Sequence, residues 1–177
     1  MPQLNQPQPR NRDQNRQSQP RNQQNRQDNQ STTVQTIITQ INKLSEGLKG
    51  YPIRELVNHA ETFGPELKRQ KLETNQIRKF LDAINQIKSK FTQAYEDINT
   101  EDKKQNEIQQ LVFKKLEPDI VLLKPKLAYA AARQKAVEPL SRVMAIAIDK
   151  VRDRTDFERL VQLIESIIAY HKAEGGK

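Results

Sequence analysis

Apolar side chains recur at helical spacing through most of this chain, and no segment alternates apolar and polar residues with a period of two. In the first such segment, Val34, Ile37, Ile41 and Leu48 are separated by three, four and seven positions, as on one face of a helix. A lone strand would find no partner for its backbone groups. The pattern therefore predicts an all-α fold, a compact bundle of about five to seven helices.

The first 30 residues have a different composition, with ten Gln, six Asn, five Arg and four Pro. Their only larger apolar side chains are Met1 and Leu4. Such a segment buries too little apolar surface to offset the entropy lost on ordering. We therefore predict a disordered Gln/Asn/Arg-rich tail over residues 1–31 and one all-α domain over residues 32–177, which is long enough for a real core.

Prolines indicate where helices stop. Gly64-Pro65 is expected to interrupt the second helix, and Pro118 is expected to kink or end a later helix at Glu117, because proline has no amide hydrogen and its ring crowds the preceding turn. Residues 119–123 could form a fresh helical turn or a short buried strand. We favour the helix, since no second strand is indicated.

Capping residues indicate where helices start. Thr155 and Glu158 have the spacing of a capping box, in which each side chain bonds the other residue's amide, at the start of the last helix. Thr100 is expected to cap the helix that follows it.

The formal net charge is +8 and the pI is about 9.7, which makes a polyanion the first partner to consider. The chain has no cysteine, so it can form neither a disulfide nor a cysteine-ligated zinc site. This is compatible with the cytoplasm, where we expect the protein. The longest apolar run, residues 143–148, is far shorter than the about 20 residues of a membrane helix, so no membrane partner is expected.

Residues 122–136 combine small side chains with clustered cations. Alanines at 128, 130, 131 and 132 would give a helix a thin wall that another backbone can approach. Helical spacing places Lys126, Tyr129 (or Ala130) and Arg133 on one face. That face would carry two cations with an aromatic ring between them.

Leu123, Leu127 and Ala131 repeat every four positions in the same segment and are expected to point into the core. One helix could then pack inward and present a basic stripe outward. The alternative is a solvated helix whose Lys and Arg residues only keep it soluble.

The sequence contains no recognisable catalytic constellation. The two histidines, His59 and His171, are isolated from each other and from ligand-like neighbours. The five glycines form no phosphate-binding loop. We therefore predict a non-enzyme with no catalytic residue, no metal site and no cofactor.

Three segments together resemble one family. Thr74-x-x-Ile77-Arg78 opens a long helix, residues 123–133 read LKPKLAYAAAR, and residues 157–172 close the chain and end in IIAYHK. In this order they resemble the small subunit of the type III-A (Csm) CRISPR effector complex, over roughly residues 34–176. The N-terminal tail departs from the family, and Ala132 stands where the family often has glycine.

The resemblance implies an all-α, non-catalytic subunit of an antiviral ribonucleoprotein. Copies would stack in an inner filament beside other Csm complex subunits and contact the backbones of guide RNA and target RNA without reading sequence. The matching basic positions, and hence the implied RNA-binding residues, are Arg78, Lys79, Lys124, Lys126 and Arg133. The alternative from the residues alone is a protein-only helical adaptor or scaffold without direct RNA contact.

Overall fold

A computed structural model describes residues 21–98 and 104–175, and these residues fold as helices joined by short connections. The seven α-helices within these two ranges are α1 Arg21–Lys43, α2 Ile53–Arg69, α3 Thr74–Ile98, α4 Gln105–Val121, α5 Leu123–Arg133, α6 Glu138–Asp149 and α7 Arg154–Ala173. Two short 3-10 turns lie at Leu48–Gly50 and Lys135–Val137. The described ranges contain no strand, which confirms the all-α prediction.

The core lies where the apolar faces of these helices meet. Helix α2 packs most extensively against α7, α3 packs against α4, and α1 and α5 both pack against α6. Phe91 of α3 and Phe157 of α7 meet with their ring centroids 5.1 Å apart. Fully burying one such side chain contributes about 1.5–3 kcal/mol, so the predicted apolar faces are the main source of stability. No helix in the described ranges is long and apolar enough to span a membrane.

Helix α1 begins at Arg21, before position 32, where the all-α domain is predicted to begin. Arg and Gln are good helix formers, so the polar residues ahead of Thr32 do not by themselves stop a helix. Among the residues whose burial the structure describes, the first core side chain is Val34, which is 2% exposed. The division into residues 1–31 and 32–177 stays a prediction.

Neither interior proline ends its helix, so the predicted interruption at Gly64-Pro65 and the predicted end at Glu117 are wrong. The alternative outcome for Pro118, a kink, stays a prediction. Helix α2 continues through Gly64-Pro65 because Phe63 and Leu67, on either side, are fully buried. Helix α4 likewise runs past Pro118 to its last residue, Val121. Tertiary packing here outweighs the cost of a missing hydrogen bond. Residues 119–123 are helical apart from one turn residue, as predicted.

The predicted capping box at the start of α7 is also wrong, by two positions. Asp153 is the N-cap, and its Oδ1 accepts a hydrogen bond from the Asp156 amide at 2.8 Å. Glu158 pairs with Arg154 Nε at 3.0 Å instead. An aspartate outcompetes threonine here because its charged carboxylate is the stronger acceptor. The predicted cap Thr100 lies outside the described residues.

The buried carboxylate of Asp156 joins three parts of the chain. It is fully buried and accepts hydrogen bonds from the Lys49 amide at 2.6 Å and from the Arg152 amide at 2.9 Å. Gly47, at φ +97°, lies so close that a Cβ there would overlap the carboxylate. The hydrogen bond from Lys49 to Asp156 thus holds the turn at Leu48–Gly50 against the start of α7.

His171 is fully buried at the end of α7, as one of the few polar side chains inside the described core. Its Nε2 donates a hydrogen bond to the Leu72 carbonyl oxygen at 2.8 Å, and its Nδ1 has no protein partner. Burial lowers the pKa of this imidazole, the Leu72 hydrogen bond opposes that shift, and Lys68 adds to it. The folded state therefore favours neutral His171.

We expect the free energy of unfolding to fall as the pH is lowered from 7.5 to 5.5. With a folded pKa below the unfolded value, His171 protonates first in the unfolded chain, so the stability is full above the unfolded pKa and declines below it. One histidine contributes a slope of at most about 1.4 kcal/mol per pH unit. Urea denaturation of His171→Gln, which keeps a donor without titrating here, should show a shallower decline.

The comparison with His171→Gln isolates the effect of His171, because other groups in the protein change protonation over a similar pH range. Burial also lowers the pKa of His59, and the charge of Glu55 opposes this shift. His59 therefore also makes the free energy of unfolding fall as the pH is lowered. Burial raises the pKa of Glu66. At lower pH this carboxyl group therefore makes the free energy of unfolding rise as the pH falls. If the free energy of unfolding of His171→Gln and of the unaltered protein depended on pH with the same slope, the predicted contribution of His171 would be wrong.

Candidate nucleic-acid interface

Helix α5 divides into the two faces that its spacing predicts. Leu123 and Leu127 are buried, at 0% and 3% exposure. Lys126, Tyr129 and Arg133 are exposed on the other side. Helix α5 packs on α6, and these three side chains remain accessible beside that contact.

The outward face of α5 forms one wall of a groove whose other wall is the first part of α3. We call it the α3–α5 groove. Its volume is about 740 Å³, within the range of about 300–1,000 Å³ typical of ligand clefts. Its polar lining residues are Glu73, Asn75, Gln76, Lys79, Lys126, Tyr129, Arg133 and Gln134.

A hydrogen bond between two amide side chains joins the walls of the groove at one end. Gln76 Nε2 on α3 donates to Gln134 Oε1, which follows α5. Gln76 Oε1 in turn accepts from the Glu73 amide at 3.3 Å, so the same side chain caps the start of α3. The two walls are thus linked by side chains at the surface of the molecule.

Tyr129 and Arg133 form a pair on the α5 wall. The Arg133 guanidinium carbon lies 5.7 Å from the centroid of the Tyr129 ring, and its Nη1 is 3.4 Å from the ring hydroxyl. Tyr129 is still 66% exposed. The contact orients the guanidinium without burying it, so its remaining N–H groups can bind a ligand.

The groove is electropositive. Its lining includes three cations, Lys79, Lys126 and Arg133, against one carboxylate, that of Glu73. None of the three cations forms a salt bridge with any residue of the described ranges. Unpaired cations from two helices around one cleft suit an anionic ligand with several charges.

The other two predicted site residues lie outside the groove lining. Lys124 is held by Asp149 of α6, with Nζ to Oδ1 at 2.5 Å. Arg78 is exposed on α3 next to Lys79 but does not line the groove. The structure thus brings together three of the five predicted residues, and the RNA-binding role of all five stays a prediction.

Sequence reasoning missed Asn75, Gln76 and Gln134, which give the groove its amide groups. Neutral amides carry no charge signal, and this chain is rich in them. Only the packing of α3 on α5 singles these three out. Their one local clue is the position of Gln76 three residues after Glu73, where a capping side chain is favoured.

The described ranges give little support for a metal site or a catalytic site. They hold no group of three or more His, Asp or Glu side chains arranged to bind a metal. His59 Nδ1 lies 2.5 Å from the Tyr51 hydroxyl, and burial raises the pKa of that tyrosine. Asp153 pairs with Lys49 at 2.6 Å. Burial acts to raise the pKa of Asp153, but hydrogen bonds from Lys49 and the Asp156 amide lower it.

Comparisons with known proteins give one match. The family model described as Csm2 Type III-A matches residues 50–177, which is more than half of the chain. No curated protein matches the chain, and no solved structure does. Helices α2 to α7, and with them the whole α3–α5 groove, lie inside the matched range, whereas α1 precedes it.

Proposed function

The chain belongs to the Csm2 Type III-A family, and we propose that it is a non-catalytic subunit that binds the backbones of guide RNA and target RNA. Membership makes it a small subunit of the type III-A Csm complex, associated with other Csm subunits. The proposal adds the RNA contact, the surface that makes it and a place in a filament of copies. Its biological role would be antiviral defence.

The observation that carries the proposal is the cationic lining of the α3–α5 groove. Lys79 on α3 and Lys126 and Arg133 on α5 line one cleft without a salt-bridge partner in the described chain. Arginine can bond a phosphate bidentately, and lysine contributes a mobile point charge. Such contacts bind phosphates without reading bases, so pairing between the two RNA strands would carry specificity.

Cleavage is assigned to other subunits. General acid–base or metal-assisted hydrolysis needs clustered ligands or groups with suitably shifted pKa values near the substrate. The α3–α5 groove offers one carboxylate and no histidine, since Glu73 is its only acid. This composition favours binding over catalysis.

Stacking of copies is supported by apolar side chains at the junction of α4 and α5. Val121 and Leu122 are 51% and 53% exposed, and Leu111, on α4, is 43% exposed. Val121 and Leu122 are neighbours in the chain and both exposed, which makes this pair the candidate contact with a second copy.

We expect the variant Lys126→Gln/Arg133→Gln to bind RNA duplex about 5- to 30-fold more weakly than the unaltered protein. Each exposed phosphate contact is worth up to about 1 kcal/mol, so the loss of two should be modest. The loss should be similar for every sequence. The slope of log K against log salt should flatten by about 0.7–0.9 for each phosphate contact removed. Fluorescence anisotropy at several salt concentrations measures both quantities.

The matched control is Lys88→Gln/Lys115→Gln, which removes two exposed lysines outside the α3–α5 groove. Both double variants should keep the helical circular dichroism signal, because glutamine is a good helix former. Equal affinities for the groove variant and the control would leave the protein-only adaptor as the better reading. An adaptor interface of apolar helix faces should also be insensitive to salt.

A further inference from the structure

The α3–α5 groove has an apolar floor beneath its cationic rim. Five buried side chains, each no more than 7% exposed, form that floor: Leu72, Phe80, Leu127, Val137 and Leu140. Phosphate groups are strongly hydrated and gain nothing from such a floor. A ligand that fills the groove should be anionic at one end and flat and weakly polar at the other.

Tyr129 is placed to stack on a flat ring. It has the highest exposure among the large apolar and aromatic side chains of the described chain, at 66%, yet it lines the groove. Arg133 approaches its ring to 5.7 Å, which restricts the orientation of the pair. Exposed aromatic rings and arginine planes in cationic grooves are the usual platforms for unpaired bases.

We propose that the α3–α5 groove receives an unpaired nucleobase of the RNA, stacked on Tyr129. This rests on the proposed function, since Lys79, Lys126 and Arg133 hold the phosphates on either side of that base. The side-chain amides of Asn75 and Gln134, which line the groove, supply polar groups for the base edge.

A fully paired duplex cannot use this groove in the same way. A paired base is covered by its stacking neighbours and by its partner strand, so only its backbone reaches the protein. The groove should therefore favour RNA that carries an unpaired nucleotide next to a paired segment. The preference should depend on the ring of Tyr129 and should be independent of salt.

The test uses the full-length protein and two RNAs, a continuous duplex and the same duplex with one unpaired 2-aminopurine. Tyr129→Ala should lower the affinity for the second RNA about tenfold, with an unchanged salt slope and little effect on the continuous duplex. The unaltered protein and Tyr129→Phe should quench the 2-aminopurine fluorescence, and Tyr129→Ala should not.

A second tyrosine–arginine pair provides the control. Arg154 lies 5.9 Å from the ring centroid of Tyr95, far along the chain from the groove. Tyr95→Ala should bind both RNAs like the unaltered protein. Thermal melting checks that both alanine variants are folded.

The outcomes separate the two ideas. If Tyr129→Ala binds and quenches normally while Lys126→Gln/Arg133→Gln loses affinity, the nucleobase site is wrong and the phosphate contact stands. Equal weakening on both RNAs by Tyr129→Ala also overturns the nucleobase site. If the folded, unaltered protein binds neither RNA, alone or within the complex, the proposed function itself fails.

Discussion

Replacing Asp156 by alanine is expected to lower the free energy of unfolding by about 3–5 kcal/mol. The carboxylate is fully buried and accepts hydrogen bonds from the amides of Lys49 and Arg152. Its removal leaves both amides without that acceptor, and each unsatisfied buried donor costs about 1–3 kcal/mol. Urea denaturation followed by circular dichroism measures the change.

The matched control for Asp156→Ala is Glu158→Ala, two residues along α7. Glu158 is exposed and forms an i,i+4 pair with Arg154, a kind of contact worth only about 0.3–0.5 kcal/mol. The free energy of unfolding of Asp156→Asn should lie between those of the two alanine variants. The asparagine side-chain oxygen can accept one of the two hydrogen bonds, whereas its NH₂ group would face a backbone donor. Equal stabilities for Asp156→Ala and Glu158→Ala would contradict the pinning role of this carboxylate.

Gly64→Ala is expected to cost about 3 kcal/mol, although alanine normally favours a helix over glycine. A Cβ at this position would lie 2.6 Å from the His171 backbone nitrogen and 2.8 Å from the Ile167 carbonyl oxygen. Those atoms belong to the backbone of α7 and cannot move aside singly. Relief would require α2 and α7 to separate, which would open the most extensive contact between any two of the described helices.

Gly50→Ala is the control for Gly64→Ala. A Cβ at Gly50 would meet one atom, Leu44 Cδ2, at an ordinary contact distance of 3.9 Å. Thermal melting should therefore show a small change for Gly50→Ala and a large drop for Gly64→Ala. A neutral or stabilising Gly64→Ala would mean that the two helices are farther apart than the structure has them.

Local spacing predicted the helices and their inward faces well, because burial depends on which side chains share a helix face. Leu123 and Leu127 illustrate this, since both were assigned to the core of α5 and both are buried. Spacing could not predict the ends of α2 and α4. There the cost of Pro65 and Pro118 is local, but the packing that offsets it comes from helices distant in sequence.

The candidate site likewise has a part that the sequence predicts and a part that depends on the fold. The common face of Lys126, Tyr129 and Arg133 follows from helix geometry alone. That Lys79 joins them, while Lys124 turns to Asp149, depends on how α3 and α6 are placed around α5. Charge marks candidate residues in a sequence, but only the fold decides which cations remain unpaired.

The close contact of α2 with α7 has a consequence for synthesis of the protein. Lys49 and Asp156 are 107 positions apart, and Leu72 and His171 are 99 apart. At about 5–20 residues per second, the ribosome adds the second member of each pair about 5–20 s after the first. During that interval α2 has no α7 to cover its apolar face. The nascent chain therefore reaches its native packing only after α7 has left the ribosome, and until then the side of α2 that packs on α7 stays uncovered.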